Sequence, residues 1–134
     1  MSRAAIYTII KTDATLSTTY QLDDVYSFQG VDTPTPDKPF IVARWGTTEP
    51  GAAFGRGPAR LELWVYDRPA DYTRIDAIIA RIKTLLTNAV HVAGTDGYTL
   101  TQATWMGESE DLYDDVYERI VKTTSFTVVS RPTS

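Results

Sequence analysis

The chain contains no cysteine and a single histidine, His91, among its 134 residues. The lack of cysteine excludes disulfides, thiolate nucleophiles and thiolate ligands for zinc, and one histidine leaves little for an imidazole-based metal site. The sequence also has no apolar run near 18 residues and no basic segment followed by an apolar one. We therefore expect neither a membrane span nor a secretory signal.

Positive charge is also scarce. Lys and Arg number 13 against 17 Asp and Glu, which gives a net charge of −4 at pH 7. A protein that binds DNA by displacing counterions from phosphates needs a basic surface, so specific nucleic-acid binding is disfavoured. The hydrophobic fraction of 43% is ordinary for a globular protein. The length predicts one domain over residues 1–134.

Motifs that carry catalysis are missing as well. The glycine-rich segment 51–57 lacks the Lys-Ser/Thr ending of a phosphate-binding loop and joins two predicted strands. No G-x-S-x-G turn presents a serine nucleophile. The acidic run 108–115 does not match the spacing of a calcium-binding EF-hand, and a solvated run of charge is the simpler interpretation. We predict a protein that is not an enzyme and that binds no cofactor or metal.

The clearest predicted element is an amphipathic helix over residues 71–88. Its apolar residues recur at steps of three and four: Tyr72, Ile75, Ile78, Ile79, Ile82, Leu85 and Leu86. A second helix is predicted over residues 3–16; its threonines lower its helix propensity, so it must rely on packing. Prolines in the run 32–39 exclude a helix there and favour a rigid loop. The alternative for that run is a ligand of an SH3-type domain.

Four strands are predicted from β-branched and aromatic content: residues 40–45, 60–66, 98–105 and 116–129. The first two are joined by residues 46–59, a glycine-rich connection long enough to form an extended hairpin arm. The last two are joined by an acidic loop, residues 106–115, and should pair antiparallel; residues 130–134 form a tail. The predicted fold class is α+β, a four-stranded antiparallel or mixed sheet with two helices packed on one face.

Aromatic side chains point to a protein-binding surface. Trp64 and Tyr66 lie on the face of their predicted strand opposite its leucines and valine. Helices can cover one face of the sheet, whereas aromatic bulk on the other face favours a partner. The candidate interface residues are Trp45, Phe54, Arg56, Trp64 and Tyr66. The alternative is that these aromatic residues pack beneath loops of the same chain.

Several segments, taken in order, resemble the tail terminator (tail completion) proteins of long-tailed phages, the siphoviruses. They are the Pro-Phe-Ile-Val strand at 39–42, the glycine-rich arm, Leu-Glu-Leu-Trp-Val-Tyr-Asp at 61–67, the tyrosine-led helix from 71, the acidic loop with Tyr-Asp-Asp at 113–115, and the closing strand at 117–128. The resemblance spans residues 39–129. The N-terminal third matches less well, since its predicted helix is short and rich in threonine.

The resemblance implies a ring of six copies at the tail–neck junction of a virion, assembled in the host cytoplasm. Such a ring sits on the last ring of the major tail tube protein, stops its polymerisation and offers a docking surface to the head–tail connector or stopper protein. No catalytic residue is carried over, and no membrane is involved. Genomic DNA would pass through the channel without specific binding.

A ring gives the acidic loop and the arm possible roles. Acidic groups in a channel repel phosphate, so we expect some of Glu108, Glu110, Asp111, Asp114 and Asp115 to face the lumen. The arm, with Phe54 and Arg56 near its tip, is expected to reach a neighbouring subunit or the tube. Two alternatives stay open: a head-completion or stopper protein of the neck, and an unrelated small protein-binding module.

Overall fold

The computed structural model describes residues 3–22, 24–27, 38–47, 58–69, 72–115 and 118–132. Its helices are α1 (Arg3–Lys11) and α2 (Thr73–Thr87), with a π-helical turn at Thr15–Thr19. Its strands are β1 (Val25–Ser27), β2 (Phe40–Thr47), β3 (Pro58–Asp67), β4 (Val92–Ala93), β5 (Tyr98–Glu108), β6 (Leu112–Asp114) and β7 (Arg119–Pro132).

Within the described residues, the seven strands form one sheet in the order β1-β2-β3-β7-β5-β4, and β6 pairs with the beginning of β7. Strands β1 and β2 are parallel, and every other pair is antiparallel. The sheet is therefore mixed and mostly antiparallel, as the predicted class allows. The last long strand pairs antiparallel with its long predecessor, which confirms that part of the prediction.

The predicted number of four strands was wrong, because β1, β4 and β6 were missed. Each has only two or three residues, too few to show the alternation by which a strand is recognised. The prediction of two helices was also incomplete. Helix α1 ends at Lys11, and the π-helical turn follows as a separate element that buries Leu16.

The main core lies between the helices and one face of the sheet. Helix α2 buries the stripe that the periodicity predicted: Ile75, Ile78, Ile79, Ile82 and Leu86. These side chains share one apolar cluster with Leu61, Leu63 and Val65 of β3 and with Phe126 and Val128 of β7. Each buried side chain of this size contributes about 1.5–3 kcal/mol, so the stripe is a major source of stability. We call this side of the sheet the helix face and the other side the outer face.

A carboxylate joins the π-helical turn to α2. Asp13 accepts hydrogen bonds from Arg81 Nε at 3.1 Å and Nη2 at 2.8 Å. It also accepts one from the backbone N–H of Leu16 at 3.1 Å. The hydrogen bond from Arg81 is the main reason that the pKa of Asp13 lies below its ordinary value of 3.8.

Asp13→Asn is expected to lower the free energy of unfolding at pH 7 by about 1 kcal/mol, because Arg81 is partly exposed and water screens the pair. A carboxyl with a lowered folded-state pKa stabilises the fold above its unfolded-state pKa, and that contribution is lost as the pH falls through the folded-state pKa. Urea unfolding at pH 7 and at pH 3 measures the effect. The difference between the two proteins should be smaller at pH 3 than at pH 7; an equal difference at both would contradict the linkage.

Candidate assembly surfaces

Trp64 is the centre of a charged network on the outer face of the sheet. The guanidinium carbon of Arg44 lies 4.3 Å from the centroid of the Trp64 ring, a cation–π contact between β2 and β3. The Trp64 indole N–H donates to Glu62, and Glu62 pairs with Arg60 at 2.9 Å. Trp64 is half-buried, so part of its ring is available to a partner.

The other aromatic residue predicted for this face, Tyr66, is buried. Its ring stacks on Phe40, with centroids 4.8 Å apart and an interplanar angle of 6°. Together with Val42 and Val121 these rings form a second, smaller apolar cluster on the outer face. Tyr66 is only 4% exposed, so its ring contacts its own chain and offers little surface to a partner.

The remaining predicted interface residues do not join Trp64. Trp45 lies on the helix face, where its indole N–H donates to the Tyr7 hydroxyl at 3.0 Å. Arg3 lies over the same ring at 5.8 Å, so α1 covers part of Trp45. Phe54 and Arg56 lie outside the described residues. The candidate interface residues are thus divided between the two faces of the sheet. Within the described part of the chain, no three of them lie together.

The region predicted as an acidic loop is largely strand, so the boundaries 106–115 were wrong. Strand β5 runs on to Glu108 after an irregularity near Gly107, whose φ is 132°. The backbone N–H of Ser109 then donates to the Thr123 carbonyl at 2.8 Å, which holds the chain against β7. Strand β6 follows at Leu112–Asp114 and pairs with β7. The C-terminal strand likewise continues to Pro132, into the predicted tail.

The acidic residues themselves are largely at the surface. Glu108, Glu110, Asp111 and Asp115 are exposed, and Asp114 is half-buried. Lys122 lies among them, with its ammonium nitrogen 2.8 Å from Asp76 and 3.6 Å from Asp111. The hydrogen bond to Asp76 is the main cause of the raised pKa of Lys122, and the charges of Glu108 and Asp111 add to it. Part of the acidic charge is therefore offset by a lysine of the same chain.

Sequence reasoning did not single out Trp105, which lines a groove between α2 and β5. Its indole N–H donates to the buried Thr124 hydroxyl at 3.0 Å, which fixes the ring on the helix face. The Lys83 ammonium lies 3.8 Å from the ring centroid. A tryptophan in an alternating strand was the available signal, but its partner Lys83 comes from a distant part of the chain.

The described residues contain no group of three or more His, Asp or Glu side chains close enough to hold a metal ion. None of the helices in the described ranges is both long and apolar enough to cross a bilayer.

No protein-family model matches the chain, and no curated protein matches it. Among solved structures, the chain is similar to a chain in the virion of a native gene transfer agent (GTA) particle. The two share 15% sequence identity and superpose with a TM-score of 0.62. The match covers 96% of this chain and 93% of the other. At this level of identity the likeness shows a shared fold.

Proposed function

We propose that the protein is a structural component of a phage-like virion. More specifically, we propose that six copies form a ring on the head-proximal end of the tail tube. This ring stops tube growth and joins the tail to the neck. The observation that carries the proposal is the fold shared over nearly the whole of both chains with a component of the gene transfer agent virion. The order of segments that resembles tail terminators, from 39 to 129, adds to it.

The surface chemistry of the chain supports an assembly role. Trp64 on the outer face and Trp105 on the helix face are half-buried, and they contact the exposed cationic side chains of Arg44 and Lys83 respectively. Tryptophan is enriched among the residues that contribute most to protein interfaces. The role needs surfaces that bind the tube protein, the neck and other copies, and it requires no bond-making chemistry. We therefore propose that the protein is not an enzyme.

A capping assay tests the proposal. Purified protein is added to tail tube protein from the same genome while the tube protein polymerises, and tube lengths are measured by electron microscopy. A terminator should shorten the tubes in proportion to its concentration and should be seen at one end of each. A neck stopper, the second candidate, would leave tube length unchanged. That result would overturn the terminator assignment.

The proposed ring also gives a testable role to the exposed acidic residues. Glu110→Lys with Asp115→Lys reverses two exposed charges and leaves in place the two acidic groups, Asp76 and Asp111, that pair with Lys122. If these residues face the lumen, added positive charge will attract DNA phosphates, and we expect DNA ejection to slow several-fold in otherwise normal particles.

The control places two lysines at Thr84 and Thr87, exposed positions on α2, and changes the net charge by two rather than by four. Ejection is followed by fluorescence of released DNA at two salt concentrations, because screening should weaken the effect of lumen charge. Equal ejection rates for both double variants would show that the acidic residues do not face the lumen.

A further inference from the structure

Two stretches of strand edge have no strand neighbour within the described ranges. On one side of the sheet, the described residues of β1 pair with β2 only at Ile41, Val42 and Ala43, so no described strand lies beside the outer edge of residues 45–47. On the other side, β4 pairs with β5 only at Thr99 and Leu100, which leaves the outer edge of residues 103–107. Unpaired backbone groups on an edge strand are a template for another strand.

These two edges lie at the same level of the sheet. Thr47 of β2 pairs with Ala59 of β3, Ala59 pairs with Val128 of β7, and Val128 pairs with Ala103 of β5, so Thr47 and Ala103 are level. In the same way Gly46 is level with Thr104, and Trp45 is level with Trp105. The three steps from β2 to β5 are all antiparallel, so β2 and β5 run in opposite directions. A second copy in the same orientation, placed beside the first, would therefore meet it with antiparallel strands in register.

We infer that the β5 edge of one copy pairs with the β2 edge of the next copy. This inference rests on the ring proposed above. The contact joins two different surfaces, so repetition closes a ring when the rotation between copies allows it. The ladder over residues 45–47 and 103–105 has three residue pairs, as many as the β1–β2 ladder within the chain. The sheet would then continue from each subunit into its neighbour.

The side chains along the two edges fit this pairing. Trp45 and Trp105 both lie half-buried on the helix face, and the pairing places them directly opposite each other across the interface. Opposed aromatic residues stabilise antiparallel strands. Residues 99–107 carry no charged side chain, so this stretch of β5 lacks the charges that protect many edge strands from pairing. Met106, on this strand, is 62% exposed.

The absence of cysteine makes a covalent test possible. Gly46→Cys and Thr104→Cys would place two thiols opposite each other across the proposed interface. Within one chain these positions are three strand spacings apart, about 14 Å, and a disulfide between them is impossible. A Cβ at Gly46 meets no atom within 4 Å, and Thr104 is exposed, so neither change should disturb the fold.

The purified full-length double variant is oxidised mildly and separated on a non-reducing gel, while light scattering gives the mass of each species. The inference predicts a ladder of covalent oligomers that ends at the ring. Each single variant should stop at the dimer. The control pair Thr84→Cys with Thr104→Cys also has two exposed thiols, but it should give no more than trace oligomers.

Two results would overturn the inference. Rings detected by light scattering without a covalent ladder would place the interface elsewhere and leave the proposed function standing. A double variant that remains monomeric and uncrosslinked at millimolar concentration would show that the edges do not associate. If the double variant gives the covalent ladder but the protein does not shorten tubes in the capping assay, the edge pairing is supported and the terminator role is rejected.

Discussion

Phe126→Ala is expected to lower the free energy of unfolding by about 3–5 kcal/mol, among the largest effects of any single substitution in this chain. Phe126 is fully buried in the main cluster and lies opposite Leu61 on β3 and Trp105 on β5. Truncation removes apolar contacts and leaves a cavity at the centre of the sheet. Urea unfolding followed by tryptophan fluorescence measures the change.

The matched variant is Phe126→Leu, which keeps most of the buried volume and should cost no more than about 1.5 kcal/mol. A domain of this size has about 5–15 kcal/mol of stability in total, so the alanine variant should also show a large loss of soluble protein. Similar stabilities for the alanine and leucine variants would mean that β7 does not lie at the centre of the core.

Asp67→Asn is expected to cost about 2–4 kcal/mol, because it breaks a largely buried ion pair and leaves the arginine in place. Asp67, at the end of β3, is 2% exposed. It accepts hydrogen bonds from Arg74 Nε at 2.6 Å and from the backbone N–H of Arg68 at 2.7 Å. A second guanidinium nitrogen also donates to it. The pair fixes the first turn of α2 to the sheet, so its loss should loosen the beginning of that helix.

Asp111→Asn is the control for the loss of a negative charge, since the Asp111 side chain is 57% exposed and lies 3.6 Å from Lys122. Its effect should stay within about 0.5 kcal/mol. Hydrogen exchange of the amides in the first turn of α2 should rise in Asp67→Asn alone. Equal losses of stability in the two variants would reject the buried pair as an anchor of the helix.

The elements that the sequence predicted best are those defined by local periodicity. Helix α2 was placed correctly within two residues at its start and one at its end, because its apolar stripe recurs over four turns. The long strands β2, β3, β5 and β7 were found from their β-branched and aromatic residues, and β3 and β7 also from the alternation of their side chains. The predicted end of β5 at Trp105 was wrong, because the register with β7 shifts by one residue between Trp105 and Gly107 and the pairing then continues to Glu108.

Features that depend on distant residues could not be predicted in the same way. The sequence indicates that Trp64 and Tyr66 share a face, but only the fold shows that Phe40 covers Tyr66 while Trp64 stays partly exposed. Trp45 was grouped with them as an aromatic residue, yet it lies on the other face against Tyr7. Tertiary contacts, rather than residue type, decide which aromatic side chain is available to a partner.

The most direct test of the proposed role is the distribution of tail lengths in the absence of this protein. A stop codon is placed in its gene in the parent phage or phage-like element, and the lysate is imaged by negative-stain electron microscopy. The proposal predicts headless tail tubes of variable and excessive length, with normal tails restored when the gene is supplied from a plasmid. Tails of normal length beside unjoined or leaking heads would contradict the terminator role and place the protein in the neck, and unaffected infectious particles would reject both.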